Sequence, residues 1–178
     1  MIKYFRFAYN IYIKIYYKFK YKKSFLVNGN LKKRLDTQIA ILEKGNLHLG
    51  ENVSFQRNVS LSSVGGNLII GNNVAFNRNC IVVCRNNITI SDGVIFGPNV
   101  TIYDHDHVYS KRGIKSGYKL GDVKIGEGCW IAANVIILRN TNIGEGCVIG
   151  AGAVVKGEIP PHSLVKGNRE FQILPIKN

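Results

Sequence analysis

The chain has 178 residues, about one domain's worth of polypeptide; 46% are hydrophobic and 20% charged, which excludes global disorder, and no Gly-X-Y period suggests a fibre. Lys and Arg number 24 against 11 Asp and Glu, but ten of the basic residues and none of the acidic ones lie in residues 1–34. From Leu35 onward the excess is only +3, so the body of the protein carries no nucleic-acid footprint.

Residues 1–24, containing IKYFRFAYNIYIKIYYKFKYKK, form a basic aromatic N-terminal segment. Lys or Arg interrupts every apolar run, so nothing approaches the ~18 apolar residues of a spanning helix, and no signal-peptide core or cleavage site is seen. The expectation is a cytoplasmic chain. Its first segment either lies peripherally on an anionic membrane surface, each Lys adding ~1 kcal/mol of attraction, or packs as a helical extension on its own oligomer. Its apolar positions give no clean helical stripe. Residues 25–48 carry no repeat and are read as a junction or a first imperfect, capping coil.

From Leu49 a six-residue period organises the chain. Ile125, Ile131, Ile137, Ile143, Ile149 and Val155 are evenly spaced, and Leu49-Phe55-Leu61, Ile70-Phe76-Val82 and Ile90-Phe96-Ile102 form earlier triplets. Such a period fits neither a helix nor an alternating strand, because a corner must follow each short strand; three faces close one triangular coil. The spacing predicts about five coils over residues 49–160, followed by a C-terminal tail, 161–178. The residue four beyond each rung must be small enough to fit under a neighbouring corner. Val53, Val59, Val74, Cys80, Val94, Val100, Cys129, Val135, Cys147 and Ala153 hold that place. Three of the four cysteines are thus packing residues, Cys84 lies outside the pattern, and all four are expected to be reduced.

The ladder slips by seventeen residues between Ile102 and Ile125, which predicts one projecting loop over 103–122. At its base stands Asp104-His105-Asp106-His107. Alternation along an extended chain sends the two histidines to one side and the two acids to the other, so only half of them can meet one ion, and no metal is expected. An imidazole with pKa near ~6.5 suits general-base work on a hydroxyl, and an acid such as Asp104 or Asp106 suits the holding of its tautomer.

Ile143-Gly144-Glu145-Gly146-Cys147 resembles the signature of the hexapeptide-repeat acyltransferase family, and the resemblance spans about Leu49 to Asn168, in its maltose and galactoside O-acetyltransferase-like branch. It implies an all-β fold, a left-handed parallel β-helix, and a homotrimer with sites between subunits. A single histidine follows the family motif matched by Phe96-Gly97-Pro98-Asn99-Val100-Thr101-Ile102, and gapless alignment places it on His107, making His107 the expected base. Cys129-Trp130-Ile131-Ala132-Ala133 resembles the family's tryptophan-containing motif. From it Trp130 is expected as a wall of the donor groove or a lid on the last coils. Ala133 is expected as a backbone contact to acetyl-CoA and Ala151 as the next. Lys156 and Arg169 stand where basic charge has moved relative to the family pattern and are expected to meet the CoA phosphates from shifted positions. Asn77 matches a residue that contacts sugar, and Arg85 stands where sugar-specific relatives carry an acid, favouring an anionic acceptor.

The resemblance therefore implies an acetyl-CoA-dependent O-acetyltransferase acting on a saccharide hydroxyl in bacterial surface polysaccharide biosynthesis, with a saccharide and no nucleic acid as partner. Two alternatives stand beside it: N-acetylation of a nucleotide-linked amino sugar, and a non-catalytic membrane-associated solenoid scaffold.

Overall fold

The computed structural model describes residues 2–29 and 36–167. Helix α1 (Ile2–Tyr21) leads through one tight turn over Lys22–Ser24 into a left-handed parallel β-helix of about six turns. Strands β1 (Phe25–Val27) and β2 (Gln38–Leu42) belong to coil one, and β3 (Asn46–Leu49), β4 (Ser54–Phe55) and β5 (Ser60–Val64) to coil two. Coil three has β6 (Asn67–Ile70), β7 (Ala75–Phe76) and β8 (Ile81–Cys84); coil four has β9 (Asn87–Ile90), β10 (Ile95–Phe96) and β11 (Thr101–Tyr103). A hairpin, β12 (His105–Ser110) with β13 (Gly113–Leu120), interrupts the winding. It resumes in β14 (Val123–Ile125), β15 (Trp130–Ile131) and β16 (Ile136–Ile143), and β17 (Val148–Ile149), β18 (Val154–Ile159) and β19 (Leu164–Val165) complete the stack.

Three faces result. The first stacks β1, β3, β6, β9, β14 and the second halves of β16 and β18; the second stacks β4, β7, β10, β15, β17 and β19; the third stacks β2, β5, β8, β11 and the first halves of β16 and β18. Register is residue on residue, as in Ile39-Leu61-Val82-Ile102-Ile137-Val155 along the third face. Every rung residue of the six-residue ladder is at most 3% exposed, and every small residue four positions on at most 2%. Phe55, Phe76 and Phe96 stack nearly parallel, with centroids 5.4 and 4.7 Å apart. At the corner between second and third faces, Asn58, Asn79, Asn99 and Asn134 all have φ between 57° and 61°. Asn tolerates that left-handed geometry, and each side-chain amide donates to the next Asn at 2.9–3.2 Å.

All three slips of the ladder fall at the corner from third face to first. Backbone stacks closely at the other corners too: a Cβ on Gly97 would meet the Ala133 nitrogen at 2.7 Å, and one on Gly126 the Glu145 nitrogen at 2.5 Å. Three expectations change in detail. Coil one carries β1 and β2, with Phe25, Val27, Ile39 and Ile41 buried, so the stack has about six turns instead of about five. Winding continues past residue 160 through β19. The projecting loop is an antiparallel hairpin whose strands satisfy each other.

The basic aromatic segment is a helix although its apolar residues make no single stripe, because they serve two sides of it. On the inner side, Ile13 and Tyr17 are buried over coil one, the Tyr17 ring 5.5 Å from that of Phe25. Tyr21 Oη donates to the Ile39 carbonyl at 3.2 Å, and Lys14 Nζ to the Gly29 carbonyl at 2.7 Å. Among the described residues no helix is long and apolar enough to cross a membrane.

Candidate functional site

The hairpin is rooted by one buried carboxylate. Asp104, 0% exposed, accepts the backbone N–H of Arg85 at 2.8 and 2.9 Å and of Asn86 at 2.6 Å, and lies 3.0 Å from His105 Nδ1. The Gly121 N–H donates to its carbonyl at 2.9 Å and closes the hairpin base. A side chain on β12 is thereby aimed by the solenoid wall, coil three gripping the start of a hairpin that leaves coil four.

Four groups meet on this root. His105 is 11% exposed and wedged edge-on between Tyr103 and Tyr118, at 5.8 and 5.3 Å. His107 is exposed, its ring 4.9 Å from Tyr118, with which it is paired across the hairpin. The Arg85 guanidinium carbon stands 4.0 Å over the same Tyr118 ring, and Nη1 reaches Glu43 at 3.8 Å. The structure therefore gathers Arg85 and His107 around a residue that sequence reading did not single out. Its signal was the register: Tyr118 is visible as a partner of His107 only once 105–110 and 113–120 are paired.

Neither acid touches His107 within the chain. Asp104 is taken by His105 and the Arg85–Asn86 backbone, and Asp106 pairs with Arg139 Nε. The cysteines are buried and free. Burial pushes the Cys80 thiol up to about 11, and burial with the neighbouring Asp104 carboxylate raises that of Cys84 further, so neither is a thiolate at neutral pH. Cys84, outside the small-residue pattern, is a core residue on β8, 0% exposed.

The other expected site residues lie elsewhere on the wall. Trp130 projects outward from the second face, 54% exposed, between Ile95 and Val148 of the flanking coils, so it covers no end of the stack. Ala133 and Ala151 occupy equivalent corners of coils five and six, the Ala133 carbonyl accepting the Gly152 N–H at 2.9 Å. The N–H groups of Ala133 and Ala151 donate to no group among the described residues. Asn77 sits at the same corner of coil three and caps the Arg78 N–H at 2.8 Å. Lys156 is exposed at the third-to-first corner, on the hairpin's side of the triangle. Arg169 lies outside the described residues. Within one chain, then, His107, Arg85 and Lys156 belong to one corner and Asn77, Ala133 and Ala151 to another, a face of a few residues, ~10–15 Å, apart.

Residues 122–157 match the family described as bacterial transferase hexapeptide (six repeats). The chain is 35% identical over 136 residues to a galactoside O-acetyltransferase of Lactococcus lactis, covering 74% of this chain and 64% of that one. It spans about half the length of other curated relatives. Among solved structures it resembles a maltose O-acetyltransferase from Clostridium difficile, with 26% identity, TM-score 0.52, and coverage of 89% of this chain and 80% of the other. It shares its fold with AntD, an N-acyltransferase from Bacillus cereus, at TM-score 0.64 and 21% identity over 82% of this chain and 80% of that one. With its six-residue ladder wound into stacked triangular coils, the chain is similar to the hexapeptide-repeat transferases, and residues 122–157 carry that family's repeat.

Proposed function

We propose that the protein is an acetyl-CoA-dependent O-acetyltransferase acting on a saccharide hydroxyl, with His107 as general base. The observation that carries this is the exposed His107 imidazole on a hairpin rooted by Asp104, against the Tyr118 ring that Arg85 also covers. The N–H groups of Ala133 and Ala151, which donate to no group among the described residues, and the exposed Trp130 suit a narrow CoA arm lying along the corner. Acetyl-CoA supplies an activated thioester. His107 takes the proton of the acceptor hydroxyl as its oxygen bonds the thioester carbonyl carbon, and returns that proton to the sulfur that leaves. Transfer is direct, because all four cysteines are buried in the stack and offer no exposed nucleophile.

The two halves of this site stand on different corners of one chain, so a homotrimer would complete each site from two subunits. All eight residues of β13 are exposed, a surface suited to a neighbouring subunit. Arg85 would select an anionic or phosphate-linked acceptor, Asn77 would hold its sugar, and Lys156 and Arg169 would meet the CoA phosphates. The setting that fits is surface-polysaccharide synthesis in the cytoplasm. N-acetylation of a nucleotide-linked amino sugar is the second reading, favoured by the fold shared with AntD.

The test is free CoA release from acetyl-CoA with neutral sugars, anionic sugars and amino sugars as acceptors. Release with hydroxyl acceptors, strongest for anionic ones, is expected. Release only with amino sugars replaces O- by N-transfer, and no release with any acceptor overturns the enzyme reading.

A further inference from the structure

Helix α1 is apolar on two sides, and the fold uses only one. Opposite the buried Ile13 and Tyr17, the side chains of Ile11, Tyr12, Ile15 and Phe19 are 46, 62, 62 and 85% exposed. Their spacing puts them in one strip, roughly 160–260° around the helix from Ile13 at about 100° per residue. Leu26, next in line on β1, is 53% exposed. Lys18, Lys20, Lys22 and Lys23 are all exposed at the end of this strip, and residues 1–34 contain ten Lys/Arg with no Asp or Glu.

We propose that this outer strip docks on an anionic lipid bilayer, with α1 lying in the headgroup plane and its inner side still holding coil one. Two observations choose lipid over a second copy of the chain. Self-association through the strip would bring together two helices of the same positive charge with no acid to meet it, whereas anionic headgroups complement that charge. Large apolar side chains flanked by lysines also match what an interfacial helix needs: burial of Phe19 and Ile15 below the headgroups and ammonium groups level with the phosphates. The proposal is independent of the catalytic reading, since α1 packs on coil one and the residues of that reading belong to coils three to six.

The experiment is co-sedimentation of the full-length protein with vesicles of phosphatidylcholine containing about one quarter phosphatidylglycerol, beside pure phosphatidylcholine, from about 0.05 to 0.5 M salt. At least tenfold stronger binding to the anionic vesicles is expected, weakening as salt rises. Ile15→Glu with Phe19→Glu should lower that binding tenfold or more while leaving the melting midpoint and oligomeric mass unchanged, because neither side chain packs on the core. Replacing Lys18, Lys20, Lys22 and Lys23 by Gln keeps the apolar strip and should flatten the salt dependence. No pelleting with anionic vesicles, equal pelleting with neutral ones, or binding unaffected by the Glu pair overturns the proposal. A change of oligomeric mass in the Glu pair without lipid also overturns it, and makes the strip a contact between copies.

Discussion

Replacing Asp104 tests whether the hairpin is held by the wall or merely leaves from it. Its carboxylate, 0% exposed, serves two backbone N–H groups and the His105 ring at 2.6–3.0 Å. Hydrogen bonds to a charged acceptor contribute ~1.5–3 kcal/mol each, and donors left without a partner cost ~1–3 kcal/mol. Arg85 and Asn86 are only half-buried, so water recovers part of this, and Asp104→Ala should cost ~3–4 kcal/mol in all. Asp104→Asn keeps one acceptor but turns an NH2 toward a donor, because both oxygens are engaged, and should cost ~2 kcal/mol. At ~2–4 °C per kcal/mol for a chain of this size, the melting midpoint should fall by ~6–16 °C for Ala and by about half as much for Asn. The assay is thermal melting paired with the pH profile of CoA release. As Asp104 is a positioning residue, its replacement should lower kcat while the pH profile of kcat/KM keeps its shape. A midpoint within ~2 °C of the parent in Asp104→Ala would refute the reasoning.

Three further outcomes are expected. His107→Ala should lose ~10²–10⁴-fold in turnover and His105→Ala much less; equal losses in CoA release would move the base away from His107. Ala133→Trp should block the corner without unfolding it, so calorimetric acetyl-CoA affinity should drop, and an unchanged affinity puts the groove elsewhere. Cys80 carries a pH dependence: its thiol is raised by burial from 9.0 to about 11, so both states keep the proton below 9.0. Between those values the unfolded chain releases it first and stability declines, by ~2–3 kcal/mol in total at ~1.4 kcal/mol per unit. Cys80→Val copies Val59 and Val100 of the adjacent coils and should lessen the decline of denaturation-derived stability over that range, Cys84 and Cys129 keeping their share; an unchanged slope assigns it to another group.

What the sequence determined by itself is the part with a period. A rung every six residues and a small residue four beyond it are local requirements, since each coil repeats the same inward side chain and the same tight corner; Ile125 through Val155 and Val53 through Ala153 are buried where that rule puts them. In the sequence coil one stays one of two alternatives, a junction or an imperfect capping coil, because Phe25, Val27, Ile39 and Ile41 do not keep the period; stacking on β3 and β5 buries them all the same. Helix α1 stays one of two alternatives in the sequence, a helical extension or a segment on a membrane surface, because its apolar residues serve two surfaces, and only the packing of Tyr17 on Phe25 separates the inner set from the outer. At the site, His107 was legible as a residue, but its neighbours were not. Asp104 and Asp106 are equal candidates along the chain. The fold commits one to the Arg85–Asn86 backbone and the other to Arg139, 33 residues away, and brings Tyr118 and Arg85 to the imidazole by hairpin register and coil stacking. Periodic packing is written residue by residue, whereas a site assembled from coils three, four and five and a hairpin depends on which residues the stack lays side by side, and that is decided in three dimensions.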